Sequence, residues 1–243
     1  MKRKVFASDF DNTLHFLDGF HKKDIEAIER FQKEGNLFGL CTGRSLMGSL
    51  ELTDGVISFD FLITVTGACI FDGSKKVLYR KTVKKESWER FLKKYEPLYH
   101  PVLNTGYQIY SHYEDYGKIE DYSSLDDFKE GLCGVSFYAG KDSDQVRLEI
   151  NKEFDGEIEA YANGPFIDAI PYGCSKGQGI QELKKILQVE EIAGMGDAKN
   201  DLPLLKETHP SFTFPSSPIE VKSVVTAVVP SIADALSFVE EHE

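Results

Sequence analysis

The chain has 243 residues, enough for one large domain or two smaller ones, and its 41% hydrophobic and 28% charged residues are typical of a globular protein. Its 28 basic and 40 acidic residues give a net charge of −12, which argues against nucleic acid or an anionic membrane surface as a partner. The four cysteines lack metal-ligand spacing, and there is neither a signal-peptide pattern nor an apolar run near the ~20 residues that span a bilayer. We therefore expect a soluble cytoplasmic protein with reduced thiols.

The first third of the chain alternates apolar runs with a helical pattern. Residues 4–8 form a short, mostly apolar run that ends at Asp9 and predicts a buried strand. Residues 22–34 have apolar side chains at helical spacing, and residues 37–41 and 61–65 are further runs of strand length. Strand, helix and strand at this spacing predict βαβ units and hence an α/β fold with a Rossmann-like parallel sheet.

The middle of the chain has a different composition, because aromatic residues are dense from about residue 79 to residue 171. Aromatic side chains could stack on a base or a sugar, but more often they form a core. We expect helices at residues 84–95, 125–129 and 143–150, and strands at 108–112, 135–139 and 158–161. This pattern predicts an α+β domain at residues 79–171, inserted into a discontinuous domain made of residues 1–78 and 172–243.

The last part of the chain returns to the first pattern. We expect helices at residues 177–187, 202–206 and 232–240, and strands at 191–195 and 224–229. These elements complete the parallel sheet and its covering helices.

Three predicted strand ends carry polar residues: Asp9 with Asp11, Thr42, and Asp197. Ligands of open parallel sheets bind at the carboxyl ends of the strands. Mg²⁺ prefers oxygen ligands and often takes one or two carboxylates together with a substrate phosphate. Several aspartates at one place would repel one another unless a cation lay between them, so this pattern favours a metal site.

Each of these features has an ordinary structural explanation when it is taken alone. Asp11 could form an Asx-turn, Lys176 could be a solvated surface lysine, and residues 196–201 could be a turn that caps the next helix. Their joint occurrence, in order and at predicted strand ends or helix starts, favours a functional site.

Four short motifs lie at these positions. They are Asp9-Phe10-Asp11-Asn12-Thr13-Leu14, Thr42-Gly43-Arg44, Ser175-Lys176-Gly177 and Gly196-Asp197-Ala198-Lys199-Asn200-Asp201. In this order they resemble the four motifs of the haloacid dehalogenase-like (HAD) superfamily, and the combination most resembles the Cof-type phosphatases of subfamily IIB. The resemblance covers residues 1–78 and 172–243 and implies a HAD-like core, with residues 79–171 as an α/β cap domain that forms a lid.

The resemblance implies roles for individual residues. Asp9 would be the nucleophile that forms an aspartyl-phosphate, and Asp11 would be the general acid and then the base. Thr42 would hydrogen-bond a phosphoryl oxygen as part of the catalytic set, and Lys176 would offset the charge of the nucleophile and the phosphoryl group. The substrate-binding residues would be Thr42, Gly43, Arg44, Lys176 and Asn200.

The resemblance also implies Mg²⁺ as the cofactor. The ion would be held by the carboxylate of Asp9, the backbone carbonyl of Asp11 and the side chain of Asp197, with Asp201 behind these ligands. Together with Lys176, the ion would make a positive centre that attracts an anionic substrate to an acidic protein.

Two kinds of detail refine this interpretation. Asp11 favours phosphoryl transfer over dehalogenation, because dehalogenases need no acid for the leaving group. Two positions and one segment depart from the family pattern: Asn12 replaces a usual Gly, Thr66 replaces a common Asn, and residues 212–217 replace a usual Asn-Ala sequence. Because Asn tolerates left-handed backbone, we expect the turn at Asn12 to be kept.

The resemblance implies a phosphatase for a small phosphorylated metabolite, such as a sugar, polyol, pyridoxal or flavin phosphate, acting as a monomer or weak homo-oligomer. A phosphomutase of the phosphomannomutase type is the alternative within catalysis. A non-catalytic binding protein on the same fold is a third interpretation. His100, His112 and Arg147 are candidates for selecting the substrate, and the sequence does not choose between them.

Overall fold

The computed structural model describes residues 3–111, 117–118 and 131–242. The chain forms two compact units. The first comprises Met1–Gly43, Leu52–Tyr79 and Ser175–Glu243, and the second comprises Arg44–Glu51 and Arg80–Cys174.

The strands are numbered in chain order. They are β1 (Val5–Ser8), β2 (Leu37–Cys41), β3 (Phe61–Thr64), β4 (Cys69–Asp72), β5 (Val77–Arg80), β6 (Val102–Asn104), β7 (Ile109–Ser111), β8 (Gly117–Lys118), β9 (Gly134–Tyr138), β10 (Ile158–Asn163), β11 (Phe166–Pro171), β12 (Ala193–Met195), β13 (Ser211–Thr213) and β14 (Ala227–Val228). The helices are α1 (Lys22–Lys33), α2 (Leu46–Thr53), α3 (Lys85–Tyr99), α4 (Ser143–Glu153), α5 (Lys176–Leu187), α6 (Leu202–Glu207), α7 (Ile219–Lys222) and α8 (Ile232–Glu241).

An eight-stranded sheet has the order β14-β13-β12-β1-β2-β3-β4-β5. From β14 to β3 every neighbouring pair is parallel, and β4 runs antiparallel to β3. All four residues of β1 are buried, as expected for a central strand covered on both faces. The predicted α/β fold with a mostly parallel sheet is therefore confirmed.

The helices of the first unit bury the faces that their periodicity predicts. α1 buries Ala27, Ile28 and Phe31. α5 buries Ile180 and Leu183 in a cluster with side chains of the sheet and of α6. The predicted helical pattern of residues 22–34 thus places one apolar face against the sheet.

The second unit has its own sheet and its own hydrophobic core. The sheet order is β10-β11-β9-β6-β7-β8, and its pairs are antiparallel except for β7 with β8. Trp88, Phe91 and Tyr95 of α3 pack with Phe137 and Phe154 in one buried cluster. These aromatic residues of the middle segment therefore form a core, which is the commoner role of such side chains.

Several predicted bounds differ from the observed ones. The final strand is Ala227–Val228 rather than residues 224–229, because the chain around Val224 is an exposed turn. α3 continues past residue 95 to Tyr99, although Pro97 lies within it. α2 and β11 were not expected; α2 begins where the backbone N–H groups of Leu46 and Met47 each donate to a carbonyl of residues 106–107 at 2.9 Å.

The predicted helix at residues 125–129 and His112 lie outside the described residues. Within the described ranges, no helix is both long enough and apolar enough to cross a membrane. Cys41, Cys69, Cys133 and Cys174 are buried, and none of these four side chains forms a disulfide.

Candidate active site

Three strand ends meet at the centre of the parallel sheet. β1 lies between β12 and β2, with Ser8 opposite both Met195 and Leu40. The backbone N–H of Asp9 donates to the carbonyl of Met195 at 2.9 Å. The chain segments that follow these strands therefore begin side by side, and they carry Asp9, Thr42 and Asp197.

Lys176 joins two aspartates at this position. Its Nζ lies 2.5 Å from Oδ1 of Asp9 and 2.5 Å from Oδ1 of Asp201. The three residues are 3%, 5% and 0% exposed, for Lys176, Asp9 and Asp201 respectively. A buried charge needs a partner of opposite sign, and here one ammonium serves two carboxylates.

Two glycines allow Lys176 to reach this position. Lys176 is the first residue of α5, and the hydroxyl of Ser175 caps the helix by accepting from the N–H of Gln178 at 3.0 Å. A Cβ on Gly67, whose φ is +93°, would lie 2.1 Å from the carbonyl oxygen of Ser175. A Cβ on Gly179 would lie 2.6 Å from the side chain of Ile63. The turn at Thr66-Gly67-Ala68 is thus what lets the start of α5 approach the sheet.

The shared environment shifts the pKa values of the charged groups. Burial raises the pKa of the Asp9 carboxyl, while the Lys176 ammonium limits this rise and the Asp201 carboxylate adds to it. Burial opposes the charge of Lys176, but Asp201 and Asp9 outweigh it and raise the pKa of the ammonium. Burial, and then the charge of Asp201, also raises the pKa of Asp197.

Asp201 organises the loop that carries Asp197. Its Oδ2 accepts from the backbone N–H groups of Asp197 and Ala198, both at 3.1 Å. Both carboxylate oxygens of Asp201 therefore have donors already, because Oδ1 is bound to Lys176. Oδ1 of Asp197 accepts from the hydroxyl of Thr13 at 3.3 Å.

The donor set fits Mg²⁺. Carboxylate oxygens of Asp9, Asp197 and Asp201 lie within 4.8 Å of one another. All three are hard oxygen ligands, and Mg²⁺ usually takes few protein carboxylates and keeps several waters. Because the oxygens of Asp201 are engaged elsewhere, Asp9 and Asp197 are the carboxylates suited to contact the ion directly.

The remaining predicted residues have different surroundings. Asp11 is exposed and Thr42 is buried. Gly43 is exposed, and a Cβ on it would lie 3.5 Å from Oγ1 of Thr66. Arg44 belongs to the second unit, where its Nη1 donates to the carbonyl of Gly48 at 3.4 Å. Asn200 is exposed on a short turn, so it is its neighbour Asp201 whose side chain reaches the cluster.

Two residues that depart from the family pattern, Asn12 and Thr66, adopt left-handed backbone conformations. Asn12 has a φ of 60°, so it adopts the left-handed conformation that glycine usually provides, as expected. Thr66 has a φ of 53° and also takes this conformation. Two residues of the second unit were candidates for selecting the substrate. Nε of Arg147 lies 3.6 Å from Oδ1 of Asp144, and His100 caps the C-terminus of α3 in a left-handed conformation.

Sequence reasoning missed three hydroxyl residues around Asp197. Besides Thr13, the buried side chain of Thr213 donates to the carbonyl of Gly196 at 2.7 Å and shares a 2.7 Å hydrogen bond with the hydroxyl of Ser217. A clue existed for Thr213 and Ser217, because both lie in the segment that departs from the usual Asn-Ala sequence.

Comparison with known proteins agrees with this geometry. A family model described as haloacid dehalogenase-like hydrolase matches residues 6–236. The 5-amino-6-(5-phospho-D-ribitylamino)uracil phosphatase YcsE of Bacillus subtilis strain 168 is 24% identical over 217 residues, which cover 84% of this chain and 80% of that protein.

Solved structures share the fold. A phosphatase of the haloalkanoate (HAD) enzyme superfamily from Bacteroides thetaiotaomicron has a TM-score of 0.82 at 19% identity, covering 98% of this chain and 94% of that one. A HAD/Cof-like hydrolase from Plasmodium vivax has a TM-score of 0.81 at 18% identity, covering 98% and 96%. The chain belongs to the haloacid dehalogenase-like hydrolase family.

Proposed function

We propose that the protein is a Mg²⁺-dependent phosphatase that hydrolyses small phosphorylated metabolites through an aspartyl-phosphate on Asp9. The observation that carries this proposal is the contact of Lys176 with Asp9 and Asp201, in the same acidic cluster as Asp197. It combines a nucleophilic carboxylate, a fixed positive charge and oxygen ligands for a cation at one edge of the sheet.

The first half of the reaction forms the phosphoryl-enzyme. The Asp9 carboxylate attacks phosphorus, and the bond between phosphorus and the ester oxygen breaks. Asp11 gives its proton to the departing alkoxide, which leaves as an alcohol. Asp11 is exposed and is two residues from Asp9, so it is accessible to a leaving group.

The second half of the reaction releases phosphate. Asp11, now a carboxylate, takes a proton from water, and this water attacks phosphorus. The bond between phosphorus and the Asp9 oxygen breaks, and inorganic phosphate and free Asp9 result. Lys176 holds the attacking carboxylate in place through both halves and offsets the negative charge on the reacting group.

Thr42 and Gly43 directly follow β2 and would hydrogen-bond the phosphoryl oxygens, and Arg44 and Asn200 would add contacts to the substrate. Asp9, Asp197 and the backbone carbonyl of Asp11 would hold Mg²⁺. When bound, the ion would supply positive charge that stabilises the phosphoryl group. The similarity to a phosphatase of a phosphorylated ribityl compound supports a small phosphate ester as the substrate.

The test is phosphate release from p-nitrophenyl phosphate and from a panel of metabolite esters. We expect turnover that needs Mg²⁺, stops with EDTA and is lost in Asp9→Asn. Asp54→Asn, which changes an exposed aspartate outside the cluster, is the matched control and should keep wild-type turnover. Turnover that survives both EDTA and Asp9→Asn would contradict the proposal, as would the absence of turnover with every ester.

A further inference from the structure

The turn that follows β3 has an unusual backbone. Val65 and Thr66 have φ values of +48° and +53°, and Gly67 follows with a φ of +93°. The left-handed region is unfavourable for a β-branched residue, and two such residues in succession persist only where other contacts fix the backbone. The contacts of this turn therefore indicate what it holds in place.

One contact of the turn reaches the segment that follows β2. The backbone N–H of Thr66 donates to the carbonyl oxygen of Thr42 at 3.1 Å. The N–H of Thr42 in turn donates to the carbonyl oxygen of Ile63, in β3, at 2.8 Å. Both backbone polar groups of Thr42 are therefore directed to the β3 side of the sheet.

The orientation of Thr42 also determines the direction of the next N–H. In a trans peptide the carbonyl and the N–H point in opposite directions, so the N–H of Gly43 points away from β3. β2 lies between β3 and β1, and Asp9 directly follows β1. The Gly43 N–H is thus directed to the side of Asp9, and within the described part of the chain it has no acceptor.

The same turn packs against the start of α5. A Cβ on Gly67 would lie 2.1 Å from the carbonyl oxygen of Ser175, and a Cβ on Gly179 would lie 3.1 Å from the Cα of Gly67. Lys176 is the first residue of this helix. One turn therefore contacts both the segment that carries Gly43 and the helix that carries Lys176.

We propose that Thr66 is a positioning residue for phosphate binding: its N–H holds the Thr42–Gly43 peptide so that the N–H of Gly43 faces the phosphoryl group. This inference rests on the proposed function, in which Thr42 and Gly43 bind phosphoryl oxygens, and adds to it the residue that sets their direction. The strained turn supplies a donor that needs no rearrangement when the anion binds.

The first experiment removes only the N–H of residue 66. In the Thr66→Val variant, incorporation of α-hydroxyisovaleric acid at this residue replaces the backbone amide with an ester and keeps the side chain. Titration calorimetry measures the affinity for inorganic phosphate in the presence of Mg²⁺. We expect Thr66→Val to bind phosphate like the wild type and its ester to bind about tenfold more weakly, which is the scale of one hydrogen bond to a charged group.

The matched control is the same exchange at Lys75. This residue has a φ of +69°, and its N–H donates to the carbonyl oxygen of Asp72 at 2.9 Å, so it shares both backbone features of Thr66. Asp72 pairs with Phe61 at the start of β3, whereas Thr66 follows the end of that strand. The ester in Lys75→Val should lower the melting temperature like the ester at residue 66 but keep the wild-type phosphate affinity.

Two further results would overturn the inference. Equal phosphate affinities in Thr66→Val and its ester would show that the N–H has no such role, and a complete loss already in Thr66→Val would assign the role to the hydroxyl. Mg²⁺ affinity should be the same in Thr66→Val and its ester, because Asp9 and Asp197 carry the ion. Equal losses of Mg²⁺ and phosphate affinity would indicate a general disturbance and contradict positioning.

The amide resonance of Gly43 gives a direct measurement. In protein labelled with ¹⁵N-glycine, inorganic phosphate should shift this resonance in the wild type and much less in the ester at residue 66. A Gly43 resonance that does not move while phosphate binds to the wild type would contradict the inference.

Binding of phosphate separates this inference from the proposed function, because it needs no turnover. If the wild type hydrolyses no ester but the ester at residue 66 weakens phosphate binding, the phosphatase proposal fails and the positioning role stands. If the wild type hydrolyses esters and the ester at residue 66 binds phosphate as tightly as Thr66→Val, the positioning role fails and the phosphatase proposal stands.

Discussion

The hydroxyl of Thr213 donates to the carbonyl oxygen of Gly196 across 2.7 Å, directly before Asp197. On the other side of the same loop, Asp201 accepts from two backbone N–H groups. Gly196 must lack a side chain, because its Cβ would lie 2.5 Å from the Cβ of Asp201. The loop that carries Asp197 is therefore fixed both through a carbonyl and through its N–H groups.

We expect Thr213→Val to weaken Mg²⁺ binding. The exchange keeps the shape but removes the donor to Gly196, so Asp197 is held less firmly, and loss of such supporting bonds typically costs ~10–100-fold in metal affinity. It should also lower the free energy of unfolding by about 1–3 kcal/mol, because a buried carbonyl loses its partner. Titration calorimetry and urea unfolding measure the two effects. Thr213→Ser restores the hydroxyl and should restore Mg²⁺ affinity; wild-type affinity in Thr213→Val would contradict the positioning role.

Gly67→Ala should displace the start of α5 and with it Lys176. The new Cβ would meet the carbonyl of Ser175 at 2.1 Å, so the backbone must move. Gly35→Ala is the control, because its φ of +88° matches the +93° of Gly67 while nothing lies within 4 Å of its Cβ. Both variants carry the strain of a left-handed alanine, about 1 kcal/mol, but only Gly67→Ala should also lose phosphatase activity. Thermal unfolding measures the strain that both variants share, and turnover measures the displacement of Lys176. Equal activities in the two variants would argue against this displacement.

Variants of Asp9 and Asp11 should lose different steps of the reaction. Asp9→Ala removes the nucleophile, and no phosphoryl-enzyme should form with any ester. Asp11→Asn removes the proton donor, so formation of the phosphoryl-enzyme should slow by roughly 10²–10⁴-fold for alkyl esters and much less for p-nitrophenyl phosphate, whose leaving group needs no acid. Hydrolysis of the intermediate should slow for every ester, because Asp11 is also the base that activates water. Rapid acid quench with radiolabelled substrate measures the intermediate. Identical losses on activated and unactivated esters in both variants would contradict the division of roles.

The carboxyl of Asp168 gives a pH-dependent stability in the second unit. Burial raises its pKa, although the hydroxyl of Ser136 donates to it at 2.6 Å and partly offsets this. The folded state therefore holds the proton more tightly than the unfolded state, whose pKa is about 3.9. The contribution to stability is full below that pH and is lost as pH rises through the folded pKa. Asp168→Asn should accordingly be more stable than wild type at pH 7, and the difference should vanish in acid.

The fluorescence of Trp88, the single tryptophan, reports the unfolding of the second unit, because Trp88 is buried in the core of that unit. Glu157→Gln is the control of opposite sign. Hydrogen bonds from Ser87 and Arg90 lower the pKa of Glu157, so its contribution is present above the unfolded pKa of about 4.3 and is lost in acid. Glu157→Gln should destabilise the unit at neutral pH. If Asp168→Asn changed the free energy of unfolding equally at every pH, the pKa of this carboxyl would not be raised by folding.

The parallel sheet was predictable because its central strands are continuous apolar runs that end in polar residues. β2 has the predicted bounds, and β1 and β3 differ from theirs by one residue. The fold class was therefore accessible from these runs, and the family from the resemblance of the four motifs that contain Asp9, Thr42, Lys176 and Asp197. β13 and β14 are only three and two residues long, and the apolar pattern around Val224 does not distinguish such a strand from a turn.

The contacts within the site were less accessible. The sequence does not show that Asn200 is exposed while its neighbour Asp201 is buried, because this difference depends on the direction of a single turn. The role of Gly67 depends on how closely two distant segments approach, and no local pattern encodes such a distance. The hydroxyl of Thr213 is also hidden from sequence reasoning, because a threonine in a short strand normally indicates only β propensity.

The ammonium of Lys176 gives the acidic centre a counter-ion that the chain itself encodes. Asp9 and Asp201 therefore share a positive partner even without a divalent ion, and we expect the fold to persist without metal. Chelation should consequently abolish the phosphatase activity without unfolding the protein. Adding the ion back should restore the activity without a refolding step. Under the proposed function, we therefore expect Mg²⁺ to control the activity reversibly on a scaffold that persists in both conditions.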